Sequence, residues 1–228
     1  MRVLFIGNSH TYFNDMPAQF ARMCREMSGE EPELQMLAYS GRSLRWHREE
    51  YFSLRFALLR GGFDYCVLQQ QAHPFPGEEE TERALLQILP LCEKAGTKPV
   101  LFMTWAEKAK PENADVMSRC YRHLAEKYGA LLAPIGQLFE RFRGTEIELY
   151  WKDGEHASPY GSYLTAATLA ATSAGERGWS AFRTGAATLR SALKGRMASP
   201  GRRRTCRRRR SCWSRRRPLP CGTRCGRR

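Results

Sequence analysis

The sequence has no long hydrophobic run and no segment typical of membrane insertion or export. Its first apolar stretch, residues 3–6, is much shorter than a signal-peptide core of roughly 7–15 residues, and no stretch approaches the ~20 apolar residues of a membrane span. Paired cysteine spacings are also missing from residues 1–175, which favours buried reduced thiols at Cys24, Cys66, Cys92 and Cys120. Together these absences predict a cytoplasmic protein that binds no membrane.

Acidic residues are almost absent from the end of the sequence. Residues 176–228 hold 18 of the 37 basic side chains but only one of the 23 acidic ones. Residues 1–175 therefore carry a small net negative charge, which excludes a basic nucleic-acid-binding fold for that part of the chain.

The arginine- and cysteine-rich residues 176–228 form a separate tail, which we expect to be disordered. The abrupt loss of acidic residues and of apolar periodicity favours a C-terminus read in a shifted frame. A basic arm that binds nucleic acid through phosphate contacts is the alternative. A zinc knuckle fits poorly, because the C-x5-C and C-x3-C spacings lack a suitable histidine.

Residues 1–175 alternate between short apolar segments and helical patterns. Strands are expected at residues 2–7, 34–39, 65–69, 99–104 and 130–134, each buried on both faces. Asn14 and Asp15 are expected to cap the first long helix, and Gly29 to end it. The apolar helix stripes are Phe20, Met23, Cys24 and Met27; Leu85, Leu86, Ile88, Leu89 and Cys92; Val116, Cys120 and Leu124; and Leu164, Ala167, Thr168 and Ala171. This pattern predicts a three-layer α/β/α sandwich with a five-stranded parallel sheet in the order 2-1-3-4-5.

Ligands of such a sheet bind beyond the carboxyl ends of its strands, where Ser9 directly follows the first strand. The turn reads Gly-Asn-Ser-His-Thr, and a serine here exposes its hydroxyl beside a helix N-terminus. Taken alone, Ser9 is more simply explained as a helix cap.

Asp153 and His156 lie in a polar loop before the last helix. An aspartate three residues before a histidine can accept its Nδ1–H, which leaves Nε2 free as a base. Two solvated loop residues are the simpler interpretation, but a wound sheet can bring both ends of the domain to one edge. The pairing of Ser9 with Asp153 and His156 is therefore a much stronger signal than either part.

The turns after the second and third strands contain candidate oxyanion donors. Gly41 offers a backbone N–H, while Gln69 and Gln71 offer side-chain amides and His73 is a weaker candidate.

Three aromatic residues follow strands two, three and four: Trp46, Phe75 and Trp105. They could stack on a sugar, although core or rim packing is the favoured interpretation of each. His47 and His123 are expected on the surface, and His10 has no assigned role.

The segments V-L-F-I-G-N-S-H-T-Y and D-G-E-H-A-S-P-Y-G-S-Y resemble those of SGNH (GDSL-type) hydrolases, in particular the bacterial branch with a G-N-S-x-T first block. The resemblance implies a flavodoxin-like fold and a Ser-His-Asp triad of Ser9, His156 and Asp153. It also implies that the Gly41 and Ser9 amides share the oxyanion hole. Asn8 replaces the usual aspartate, and Gln69-Gln70-Gln71 stands where the family has G-x-N-D.

The resemblance implies an esterase that acts on a small-molecule or carbohydrate ester, with acetyl as the expected acyl group and with no cofactor. No cluster in the sequence has metal-ligand spacing, which predicts a mechanism without a metal. Two alternatives stay open. One is a catalytically impaired protein of the same fold that only binds a ligand, and the other is a nucleic-acid-associated protein that acts through the tail.

Overall fold

A parallel five-stranded sheet forms the centre of the chain in the computed structural model, which describes residues 1–175. Its strands are β1 (Arg2–Gly7), β2 (Glu33–Ala38), β3 (Tyr65–Gln69), β4 (Lys98–Phe102) and β5 (Leu131–Ala133). They pair in the order β2-β1-β3-β4-β5, as the sequence predicts. The expectations for residues 176–228 lie outside the described residues.

Helices cover both faces of the sheet. They are α1 (Ser9–Tyr12), α2 (Met16–Ser28), α3 (Leu44–Glu49), α4 (Tyr51–Gly61), α5 (Glu78–Ala95), α6 (Asn113–Tyr128), α7 (Ile135–Phe142) and α8 (Pro159–Ser173). A 3₁₀ turn, Phe13–Asp15, joins α1 to α2. One core lies between the sheet and α2, α7 and α8, and a second lies between the sheet and α3 to α6. The predicted three-layer α/β/α sandwich is therefore confirmed.

The central strand β1 contributes to both cores, because its side chains alternate between the two faces. Val3 and Phe5 pack with α2 and α8, while Leu4 and Ile6 pack with α4 and α5. Strand β2 departs from the expectation of burial on both faces. It is an edge strand whose residues are exposed or half-buried throughout, because only β1 pairs with it.

Three residues of the predicted helix stripes are exposed instead of buried: Met27, Leu86 and Val116. Met27 lies in the last turn of α2, away from the sheet. In α6 the buried face runs through Met117, Cys120, Tyr121 and Leu124, so that Val116 turns to solvent.

The start of α2 also differs from the expectation. Asp15 occupies the N-cap position, but its side chain makes no capping hydrogen bond, and its φ of 54° is left-handed. Asn14 shares this left-handed conformation, which asparagine tolerates better than most residues, and its side chain reaches α8 instead. Gly29 does end the helix, with a φ of 81°.

The four cysteines of the described residues are free and buried, as expected. Among the helices of residues 1–175, none is long and apolar enough to cross a bilayer.

Candidate active site

Asn8 organises the turn that carries Ser9 at the carboxyl end of β1. Its Oδ1 accepts from the His10 amide at 3.0 Å, its Nδ2 donates to the Arg42 carbonyl at 2.9 Å, and its own amide donates to Gln69 Oε1 at 2.7 Å. Since Asn8 caps α1, Ser9 is not needed as the cap, and its hydroxyl is free for another partner.

Gly7 allows this turn to lie close to β3. A Cβ at Gly7 would lie 2.4 Å from Gln69 Oε1 and 2.5 Å from Thr11 Oγ1, so that these two hydrogen-bonded side chains would have to shift. The glycine is therefore required by the close approach, while its backbone stays within the strand.

Ser9, His156 and Asp153 are joined by two hydrogen bonds. Ser9 Oγ lies 2.8 Å from His156 Nε2, and His156 Nδ1 lies 2.8 Å from Asp153 Oδ2. The structure thus brings together three residues from opposite ends of the domain, 147 positions apart in the case of Ser9 and His156. With Nδ1–H donating to the carboxylate, Nε2 can accept the proton of the serine.

The loop that carries Asp153 and His156 is held by its own hydrogen bonds. Asp153 Oδ1 accepts from the amides of Glu155 and His156, both at 2.9 Å, and the Trp151 amide donates to the His156 carbonyl at 2.7 Å. Burial raises the pKa of Asp153, but these amides and the His156 ring outweigh it and lower the pKa below its usual value. The carboxylate is therefore ionised at neutral pH.

The faces of the His156 ring are covered by Phe13 and His10. The Phe13 ring lies 4.7 Å away and the His10 ring 4.9 Å away, both nearly parallel to it at 29° and 27°. Sequence reasoning left His10 without a role and missed Phe13. Stacking between distant segments leaves no sequence signal, although a histidine next to a candidate nucleophile was a hint.

Asn14 connects the segment that carries Ser9 and Phe13 to the start of α8. Its Nδ2 donates to the Ala157 carbonyl and to Ser162 Oγ, both at 2.9 Å, and Ser162 Oγ donates to the Phe13 carbonyl at 3.2 Å. These hydrogen bonds hold the segment that carries Ser9 against the loop that carries His156, at the residue that follows His156. Sequence reasoning interpreted Asn14 as a local cap and missed this contact.

The candidate donors of the oxyanion hole have different surroundings. Gly41 lies in an exposed turn with a φ of 67°, and the neighbouring Arg42 carbonyl connects this turn to Asn8. Gln71 is half-buried, and its Nε2 donates to the His73 carbonyl at 3.2 Å. Both residues remain candidates on this geometry.

Gln69 does not fit the expected role of a substrate-facing donor. Its side chain is completely buried, its Oε1 accepts from the Asn8 amide and from Thr11 Oγ1, and its Nε2 donates to the Gln70 carbonyl at 2.6 Å. These hydrogen bonds connect the end of β3 to the turn that carries Ser9, so Gln69 supports that turn. Gln70 is buried as well and binds the amides of Leu44 and Gln71.

The other histidines fall into two classes. His47 was expected on the surface but is buried, because its Nε2–H donates to the Gly7 carbonyl at 2.8 Å; burial lowers its pKa despite this bond. His123 is exposed beside Glu78, as expected. His73 is enclosed next to His10, with ring centroids 5.2 Å apart, and its Nδ1 lies 3.7 Å from Glu107.

The aromatic residues singled out by the sequence also differ in exposure. Trp105 is buried and stacks on Phe139 at 4.0 Å, while Phe75 is half-buried against a tyrosine of α6. Trp46 is half-buried near the Gly41 turn, 5.0 Å from the exposed Tyr39. Within residues 1–175, no three metal-binding side chains converge on one point.

Comparison with known proteins identifies the fold of this chain. No protein-family model matches the sequence, and no curated protein matches it either. Among solved structures, a protein from Slackia heliotrinireducens assigned to the SGNH hydrolases is 30% identical, with 75% of this chain and 98% of that chain covered and a TM-score of 0.62.

Two further structures share the fold at lower identity. An assigned GDSL-like lipase from Parabacteroides merdae is 19% identical, with 76% of this chain and 95% of that chain covered and a TM-score of 0.60. The acetylxylan esterase of Geobacillus stearothermophilus is 15% identical, with 77% and 95% covered and a TM-score of 0.64. On the likeness to the Slackia protein, the chain belongs to the SGNH hydrolase family, a family of carboxylic ester hydrolases.

Proposed function

We propose that the protein hydrolyses a small carboxylic ester through a covalent acyl-enzyme, with Ser9 as nucleophile, His156 as general base and Asp153 as its orienting partner. The observation that carries the proposal is the pair of 2.8 Å hydrogen bonds linking the three side chains. Catalytic mutants of the Geobacillus esterase replace a serine and an aspartate with alanine, and these are the residue types of Ser9 and Asp153.

The reaction proceeds in two halves. His156 Nε2 takes the proton of Ser9 as Oγ attacks the ester carbonyl carbon, and the resulting imidazolium gives that proton to the leaving alcohol as the C–O bond breaks. Water then attacks the acyl group, losing a proton to Nε2, and the proton returns to Ser9 Oγ as the acid leaves. Asp153 stays ionised throughout and stabilises the imidazolium.

The oxyanion formed in both halves requires preorganised donors. The Ser9 and Gly41 amides are the proposed backbone donors, and the Asn8–Arg42 hydrogen bond holds their two turns together. Gln71 is the proposed third donor, because its amide is the half-buried one in the position of the missing G-x-N-D. Loss of a single donor typically slows such reactions by roughly 10²–10³.

We propose an acetylated carbohydrate as the substrate class. Tyr39 and Trp46 lie beside the Gly41 turn with their ring centroids 5.0 Å apart, and the Arg42 guanidinium lies over one face of the Trp46 ring at 5.2 Å. The Tyr39 ring is exposed and the Trp46 ring is half-buried, and flat rings next to an ester site suit the apolar face of a sugar. Replacing Trp46 by leucine should raise KM for an acetylated oligosaccharide and leave KM for p-nitrophenyl acetate unchanged.

The free, buried cysteines suit a reducing compartment, and on this ground we propose the cytoplasm as the location.

Turnover of p-nitrophenyl acetate by the wild-type protein and by Ser9→Ala tests the function. Ser53→Ala, at an exposed serine of α4, is the matched control. We expect Ser9→Ala to lose activity by roughly 10⁴-fold or more and Ser53→Ala to lose none. Equal background rates in the folded wild-type and Ser9→Ala proteins would instead favour the ligand-binding alternative.

A further inference from the structure

The two rings that cover His156 belong to the same short segment as Ser9. His10 lies in α1 directly after Ser9, and Phe13 begins the following 3₁₀ turn. The nucleophile and both neighbours of the base therefore lie in one continuous segment of five residues. Phe13 is itself held in place, with its carbonyl accepting from Ser162 Oγ and its ring meeting the Trp151 edge at 5.9 Å.

His10 contacts its neighbours through the faces of its ring and not through its nitrogen atoms. Both ring nitrogens of His10 are buried and make no hydrogen bond of normal geometry within residues 1–175, whereas the rings of His73 and Trp105 each lie with their centroids 5.2 Å from that of His10. A buried polar group without a partner lowers stability, and an apolar ring of similar size would avoid that cost. What the position does provide is a flat ring against His156.

His10 presents an uncharged face to the base. Burial, together with the nearby rings of His73 and His156, lowers the pKa of His10 to about 3, although the Glu155 carbonyl and the Asp153 charge oppose the shift. When His156 takes up the proton of Ser9 in the proposed reaction, its charged ring therefore faces the rings of Phe13 and of an uncharged His10. The face of an aromatic ring attracts a cation.

We propose that His10 and Phe13 are positioning residues that clamp the His156 ring, so that its two nitrogens keep their hydrogen bonds to Asp153 and Ser9 while the ring gains and loses a proton. This inference rests on the proposed function. Turning the His156 ring would break both bonds at once, and the two flat neighbours at 4.7 and 4.9 Å restrict that rotation. The clamp needs a flat ring at position 10 and not its nitrogen atoms.

Three variants separate the clamp from simple packing. Phe13→Leu and His10→Ala remove one flat face each, whereas His10→Phe keeps it. We expect the first two to lower kcat for p-nitrophenyl acetate by roughly 10- to 100-fold, with KM within about twofold, because misplaced reacting groups slow the chemical step. His10→Phe should keep kcat within about threefold. Phe52→Leu, at an exposed phenylalanine of α4, is the control and should change nothing.

A second readout does not depend on activity. The proton on His156 Nδ1, bound to Asp153, should give a low-field NMR signal that is absent in His156→Ala. We expect this signal to persist in His10→Phe and to broaden or disappear in Phe13→Leu and His10→Ala. If the wild-type protein turns over no ester, the proposed function fails, but the NMR comparison still decides on the clamp.

Two results would overturn the clamp. One is a folded Phe13→Leu protein with unchanged kcat and an unchanged signal, and the other is loss of kcat and signal in a folded His10→Phe. Should His10→Ala fail to fold, Phe13→Leu and His10→Phe carry the decision, because Phe13 is only half-buried and His10→Phe leaves no cavity.

Discussion

Asn8 Nδ2 donates a 2.9 Å hydrogen bond to the Arg42 carbonyl and so connects the turn after β1 to the turn after β2. An aspartate at this position could cap α1 equally well but has no hydrogen to donate. The departure from the family's usual first block therefore has a structural consequence: Asn8 couples the Ser9 turn to the Gly41 turn.

Asn8→Asp tests this coupling. We expect the cap of α1 to survive, but the carboxylate would face the Arg42 carbonyl, so that the Gly41 turn loosens. We expect kcat for p-nitrophenyl acetate to fall by roughly tenfold or more, because a looser turn would move the Gly41 amide away from the oxyanion. Stopped-flow or steady-state kinetics measures the rate, and circular dichroism checks the fold. An unchanged kcat would mean that Gly41 does not need this tether.

Asp153→Asn replaces the carboxylate that accepts from His156 Nδ1 with an uncharged amide of similar shape. The amide cannot stabilise the imidazolium and can favour the wrong tautomer of His156, and the same exchange in a Ser-His-Asp triad costs up to about 10⁴ in kcat. We expect a loss of kcat of that order with little change in KM. A loss of less than tenfold in the folded variant would argue that Asp153 only shapes the loop through its bonds to the two amides.

Gln69 and Gln71 should respond differently to mutation. Gln69→Leu leaves the buried Asn8 amide without its acceptor, and we expect a loss of roughly 1–3 kcal/mol of unfolding free energy. Gln71→Ala should cost little stability but lower kcat by roughly 10²–10³ if Gln71 is the third oxyanion donor. Urea unfolding and ester kinetics on both variants provide the comparison. Unchanged kcat in Gln71→Ala would remove it from the oxyanion hole.

The stability of the fold should fall in mild acid because of the buried histidines. Burial lowers the pKa of His10 from 6.5 to about 3 and that of His73 to about 4. As the pH falls below 6.5, the unfolded chain binds these protons while the folded chain does not. The free energy of unfolding is therefore greatest above that pH and decreases towards pH 4.

His10→Phe isolates one of these protons. We expect the slope of unfolding free energy against pH between about pH 6 and pH 4 to become shallower by about 1.4 kcal/mol per pH unit, the effect of one proton. Denaturant unfolding at several pH values measures the slope. An unchanged slope would show that His10 takes up its proton in the folded state.

Much of the fold follows from local sequence patterns. Short apolar segments with glycine nearby locate all five strands within one or two residues, and the strand order follows from the usual winding of such sheets. The exposure of β2 was not predicted, because Leu34, Met36 and Leu37 are typical of a buried strand, even though Glu33 and Gln35 are polar. Position in the sheet, and not composition, leaves it open on one side.

The candidate site could be predicted in part for similar reasons. Ser9, Asp153 and His156 lie in recognisable local motifs, so their meeting at one sheet edge could be anticipated. Gln69 and His47 are buried, and Phe13 and Asn14 make their contacts, because segments distant in the sequence lie close together in the fold. No local pattern in the sequence predicts such contacts. The Gln69-Gln70-Gln71 run illustrates this, since neighbouring side chains of one type point into different surroundings.

The central claim is that Ser9 is a nucleophile activated by His156, and covalent trapping tests it most directly. The protein is incubated with a p-nitrophenyl phosphonate, and the mass of the intact chain and of its peptides is measured. The account predicts a single adduct on Ser9, formed with release of one p-nitrophenol, absent in Ser9→Ala and much slower in His156→Ala. A folded wild-type protein that gains no adduct, or gains it on another residue at the same rate in Ser9→Ala, would contradict the account.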